Sequence, residues 1–195
     1  MQNYEREFSK ISDALVTAYQ NWEIWWLYKN ERPKYVNIMN HYLQFFTNSQ
    51  YAHWITTIIS IWCLIDDNNL SLVTFYKKIC KENILTDENK KEIQNKFDGI
   101  AHIMKGIKII RHNVIAHINN KIDSDEAFKK ANLRYDDFRD IIVELGNIFN
   151  RIRIDYGKNQ LGFWLKKRFD EPDRFIESDA ERMLQDLINY NSKTA

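Results

Sequence analysis

The sequence predicts an all-α protein, a bundle of six or seven helices. Three observations predict it. Apolar residues recur at alternating spacings of three and four along most of the 195-residue chain, the period of one helix face. Glycine and proline together number only seven, too few for a sandwich or barrel, whose turns recur about every 8–12 residues. The five glycines, at 99, 106, 146, 157 and 162, fit no Gly-rich phosphate loop, which excludes Walker and Rossmann nucleotide sites.

The first helix is marked by Tyr4, Phe8, Ile11, Leu15, Ala18, Trp22 and Trp25, which share one face. Pro33 breaks the pattern and suits the first turn of a second helix. Tyr35, Ile38, Met39, Tyr42, Phe45 and Phe46 make its stripe. Tyr51 to Ile65 is apolar on nearly every side, as expected of a helix at the bundle centre. Asp66-Asp67-Asn68-Asn69 ends it, and Ser71 reads as the N-cap of a short fourth helix. Thr86 caps a long fifth helix, expected from about Asp87 to Ile118. A short helical piece follows from Ser124 to Ala131, then a strong helix from about Leu133 to Ile154. Ser178-Asp179-Ala180-Glu181 fits a capping box opening the last helix. Residues 1–156 are thus expected to form the bundle, and residues 157–195 a C-terminal helical extension packed on the same domain.

A net charge of +1 excludes a strongly polybasic, histone-like nucleic-acid binder but leaves room for a local basic site. Cys63 and Cys80 sit in apolar helical patterns and read as buried, reduced thiols of a cytoplasmic protein. The N-terminus lacks the apolar stretch of a signal peptide. The longest apolar run, Ile55 to Ile65, is well short of the roughly 20 residues a membrane span needs. No CxxC pair, HExxH motif or EF-hand loop is present, so no metal site is expected.

The fifth helix carries the one anomaly. Ile93, Phe97, Ile100, Met104 and Ile107 form a stripe whose next positions are 111, 114 and 118. Val114 and Ile118 continue it, but position 111 is Arg111. A permanent charge in an apolar series is costly unless it is paired or meets a charged ligand. His117 lies six residues on, about 120° away on an ideal helix, so the two side chains flank one seam. Asn113 falls outside that sector unless the helix loosens there, and His112 faces solvent. The spacing alone also suits a structural pair: Arg111 reaching over the stripe to water, and His117 favoured by the helix dipole.

The string Arg111-His112-Asn113-Val114-Ile115-Ala116-His117 resembles the motif of the HEPN superfamily, an Arg and a His separated by four to six residues with a polar residue near the Arg. The stretch Trp54 to Leu72 resembles the region before that motif in the AbiU-type abortive-infection group. The resemblance covers roughly residues 5–155 and implies a HEPN-like helical bundle.

It also implies a function: a metal-independent endoribonuclease of phage-defence or toxin type, without cofactors, that cuts RNA by attack of the ribose 2′-hydroxyl. The implied enzyme is a homodimer whose Arg111 and His117 helices face each other in a composite site. His117 would handle protons, Arg111 the scissile phosphate, and Asn113 or His112 would orient them. Lys105, Lys108, Lys121, Arg151 and Arg153 are candidate substrate contacts, with Phe163 and Trp164 as candidate stacking residues or packing anchors. The alternative is a catalytically inactive HEPN module that binds RNA, a nucleotide or a protein partner. In HEPN toxins paired with a nucleotidyltransferase antitoxin, a Tyr closely follows the motif His. Here Ile118-Asn119-Asn120 follows His117, so that form of regulation is not implied.

Overall fold

The computed structural model describes residues 4–67, 70–115, 124–157 and 175–194. Eight α-helices and no strand are present among them. They are α1 (Glu5–Asn30), α2 (Arg32–His41), α3 (Leu43–Ile65), α4 (Leu72–Lys81), α5 (Asp87–Ile110), α6 (Ser124–Ala131), α7 (Tyr135–Asp155) and α8 (Phe175–Thr194). The all-α bundle is as expected, with the segment at α6 closing as a helix of its own.

Helix α1 is the spine. Its whole predicted stripe, Tyr4 to Trp25, is buried, because every third or fourth residue is large and apolar. From Tyr4 to Trp22 that stripe meets Ile58, Ile61 and Leu64 of α3, Phe75 of α4, and Phe149 and Ile152 of α7 in one core. Phe8 packs edge-on to Phe75 at 5.2 Å between ring centroids, and Trp25 stacks on Trp54 at 4.4 Å. Helix α5 lies antiparallel to α7: Asn89 bonds Asp155 at 2.8 Å, and Lys96 pairs with Glu144 at 2.9 Å. A Cβ added at Gly106 would sit 2.6 Å from Leu133 Cγ, so only glycine lets the α6–α7 junction approach α5 this closely.

The caps expected for α4 and α5 form as read. Ser71 Oγ accepts from the Thr74 amide at 3.1 Å, and Thr86 Oγ1 accepts from the Asn89 amide at 3.2 Å. Helix α7 ends on Gly157 at φ 70°, a left-handed position that favours glycine.

Several expectations are corrected. Helix α8 starts at Phe175, three residues ahead of the Ser178 expected to cap it. Its Glu181 carboxylate instead accepts from Lys34 and Tyr35 of α2, which hold the carboxyl below its usual range. Leu184 is fully buried in a second apolar cluster with Tyr28, Tyr35 and Ile38. Helix α3 is not enclosed on all sides. Thr57, Ile58, Ile61 and Leu64 are buried, but Phe45 and Ile59 are 57 % and 41 % exposed, and Cys63 is an exposed free thiol. The cause is arrangement: α1 is the main cover of α3, and the other described helices touch it less.

Candidate functional site

The core stripe of α5 runs through Ile93, Phe97, Ile100, Ile103, Ile107 and Ile110, all buried. Ile110 therefore takes the core position that the sequence pattern gave to residue 111. Spacings of 3, 4 and 3 from Ile100 keep the stripe on the bundle, and Met104 and Arg111 fall on its half-buried edge. Arg111 is not a charge driven into the core.

At Arg111 the helix changes. Residues Arg111–Ile115 form a π-helical turn, wider than an α-turn. Widening shifts backbone amides from the i−4 to the i−5 carbonyl. The Asn113 side chain bonds back to the preceding turn: its Nδ2 donates to the Ile109 carbonyl at 2.8 Å. The loosening also brings Arg111, His112 and Asn113 to the wall of one cleft of about 610 Å³. An undistorted helix would have turned Asn113 away.

The cleft has a mixed chemistry. Trp62, Ile65, Met104 and Ile109 give it apolar walls, and Arg111 with the exposed Lys105 and Lys108 gives a cationic rim. The Arg111 guanidinium lies over the Trp62 ring, 5.3 Å from its centroid. Asp66 and Asp67 close the cleft from the end of α3. Asp66 is buried, 7 % exposed, whereas Asp67 is exposed and pairs with Lys77 at 2.6 Å. Burial pushes the Cys63 thiol up; Asp66 adds to that rise and Arg111 opposes it.

The other sequence candidates fall elsewhere. His117 and Lys121 lie outside the described residues, as do Phe163 and Trp164. Arg151 and Arg153 are described, and the cleft does not include them. Arg151 donates to Asn89 and pairs with Glu92 at 3.4 Å, at the start of α5. Asn89 and Arg111 are 22 positions apart, about 33 Å along the helix. Arg153 lies over the Phe8 and Phe149 rings at 5.8 and 5.6 Å. The antiparallel course of α7 carries both arginines to the far end of the bundle, where they brace the fold.

Trp62, Asp66 and Asp67 were missed as site residues. The two aspartates read as a helix-ending loop, and the sequence carries no local sign that this loop meets a turn 45 residues downstream. Among the described residues no three His, Cys, Asp or Glu side chains group to hold a metal, and no helix is long and apolar enough to cross a membrane.

Comparison with known proteins adds one finding. The HEPN_AbiU2 family model, described as AbiU2, matches residues 1–190. No curated protein and no solved structure matches the chain. The match spans the bundle, the π turn and nearly all of α8, and on that extent the chain belongs to the AbiU2 family of HEPN proteins.

Proposed function

We propose that the protein is a metal-independent endoribonuclease of an abortive-infection system, working as a homodimer through the region around Arg111. The observation that carries the reading is the π turn, which gathers Arg111, His112 and Asn113 with Lys105 and Lys108 on one cleft. That rim suits a phosphodiester, and the planar guanidinium suits charge spread over phosphate oxygens. The resemblance of Arg111 to His117 to the HEPN motif, an Arg followed by a His, supports the reading.

In this reading Arg111 holds the scissile phosphate and stabilises charge on its non-bridging oxygens. His117 takes the proton of the ribose 2′-hydroxyl. The 2′-oxygen bonds to phosphorus, the bond from phosphorus to the 5′-oxygen breaks, and that oxygen leaves with a proton. The products are a 2′,3′-cyclic phosphate and a free 5′-hydroxyl. A histidine with a pKa near ~6.5 serves either proton transfer around neutrality. Asn113, fixed on the Ile109 carbonyl, holds the turn that aims Arg111.

A second copy of the chain is proposed to dock against the turn and the adjoining outer face of α3. That helix has no Asp, Glu, Lys or Arg in 23 residues, so two copies meet there without like-charge repulsion. Ile59 and Cys63 are exposed on that face, close to Trp62 and Arg111. Incubation of single-stranded RNA with the protein in EDTA tests the activity. Strand scission with cyclic phosphate ends is expected; binding without scission would reject it.

A further inference from the structure

We propose that the RNA strand continues from the Arg111 cleft into the groove between α4 and α5, where Lys77 holds a phosphate of the flanking nucleotides. This deepens the RNA reading of the site and rests on it. The groove is an opening of about 260 Å³ lined by Val73, Phe97 and Ala101. It meets the cleft at two places. Met104 lines both openings. Asp67 of the cleft pairs with Lys77 of the groove at 2.6 Å. Ala101 stands ten residues before Arg111, about 15 Å along α5. The backbone repeat of a single strand is shorter than that, so a ligand that fills both openings is a strand of several nucleotides.

The chemistry along this course suits a polyanion with apolar bases. Lys105 stands at the junction, exposed and without an ion pair among the described residues. Ala101, one turn before it, is exposed and too small to block the way. Lys77 lines the groove beyond. Its pair with Asp67 does not remove it from reach: the two side chains are 60 % and 64 % exposed, and an ion pair that open to water contributes little. A phosphate replaces Asp67 by exchanging one anion for another. The apolar lining of Val73, Phe97 and Met104 receives bases whatever their sequence. Asp98, which accepts from Gln94 at 2.8 Å, lines the groove one turn before Ala101, and its charge bounds the course of the phosphates.

The test measures binding of 2′-O-methyl oligouridylates of two and eight nucleotides to the full chain by calorimetry, over a series of salt concentrations. Methylation blocks attack by the 2′-hydroxyl, so the strands stay intact. The longer strand is expected to bind tighter and with a steeper salt dependence. Each phosphate held by a lysine adds about 0.7 to the slope of log K against log salt concentration. Lys77→Ala is expected to remove about 0.7 from the slope for eight nucleotides and nothing for two. Ala101→Trp is expected to fill the groove and bring the longer strand down towards the affinity of the shorter. Asp67→Ala is expected to raise the affinity of the longer strand, because the carboxylate competes with phosphate for Lys77. Equal binding of both lengths, binding of neither, or unchanged binding of the longer strand in Lys77→Ala and Ala101→Trp overturns the inference. An equal loss in Lys77→Ala and Asp67→Ala also overturns it, since the pair would then only brace the fold. Scission of RNA with none of these dependences leaves the ribonuclease reading standing and removes this one. Binding that depends on length and on Lys77, without scission of unmethylated RNA, does the reverse.

Discussion

The Arg111 guanidinium lies over the Trp62 indole, 5.3 Å from the ring centroid. The contact joins the π turn after α5 to the last turn of α3, and it fixes where the cation of the cleft sits. Cation–π contacts of this kind contribute about 0.5–2 kcal/mol. Trp62→Leu keeps an apolar side chain and removes the ring face. It is expected to slow RNA cleavage roughly 2- to 30-fold, as measured by initial rates on a labelled RNA. A rate equal to the unaltered protein would show that the ring does not position Arg111.

The Asn113 side chain donates to the Ile109 carbonyl across the start of the π turn. Asn113→Ala removes that bond, and the expected loss is about 1 kcal/mol in urea unfolding. Amide hydrogen exchange from 109 to 113 should quicken with it. Unchanged exchange there would mean that the turn is held by other contacts.

Gly106 permits the approach of Leu133 to α5. Gly106→Ala forces a contact and is expected to destabilise the fold by about 1–3 kcal/mol. Leu133→Ala opens space, so the double variant should lose less than the sum of the two single losses. Strict additivity would argue against this contact.

His53 gives the fold an acid-sensitive element. Asn21 Nδ2 is bound to the Thr17 carbonyl at 2.8 Å, which leaves its Oδ1 to accept from His53 Nδ1 at 2.8 Å. Burial lowers the His53 pKa from 6.5. The folded state therefore binds this proton less readily than the unfolded chain does. Its contribution is complete above about pH 6.5 and is lost as pH falls through the lowered folded value. Melting temperatures from pH 5 to 8 should fall on the acid side, and His53→Gln should flatten that fall. An equally steep fall in the variant would assign the acid sensitivity to other groups.

Much of the fold was legible because large apolar residues mark the buried faces. Every member of the α1 stripe is buried, and Ser71 and Thr86 cap where their side chains suggested. The outer face of α3 was not legible. Phe45 and Ile59 are as apolar as any core residue, and only the placement of neighbouring helices leaves them open. Of the site, Arg111, His112 and Asn113 were legible as a motif. Their convergence depends on a π turn that no spacing rule encodes, and the opposite wall comes from Trp62 and Asp66, distant in sequence. Arg151 and Arg153 looked like substrate contacts because composition records charge and not direction. Their partners at Asn89, Glu92, Phe8 and Phe149 lie at the other end of the bundle.

The central claim, that the Arg111 cleft cuts RNA, is tested most directly by cleavage rates in EDTA for the unaltered protein, Arg111→Ala and His117→Ala, with circular dichroism confirming that all three are folded. The account predicts scission by the unaltered protein and at least about a hundred-fold loss in each variant, the usual cost of removing a group that stabilises or transfers charge in the transition state. Undiminished cleavage in both folded variants would contradict it.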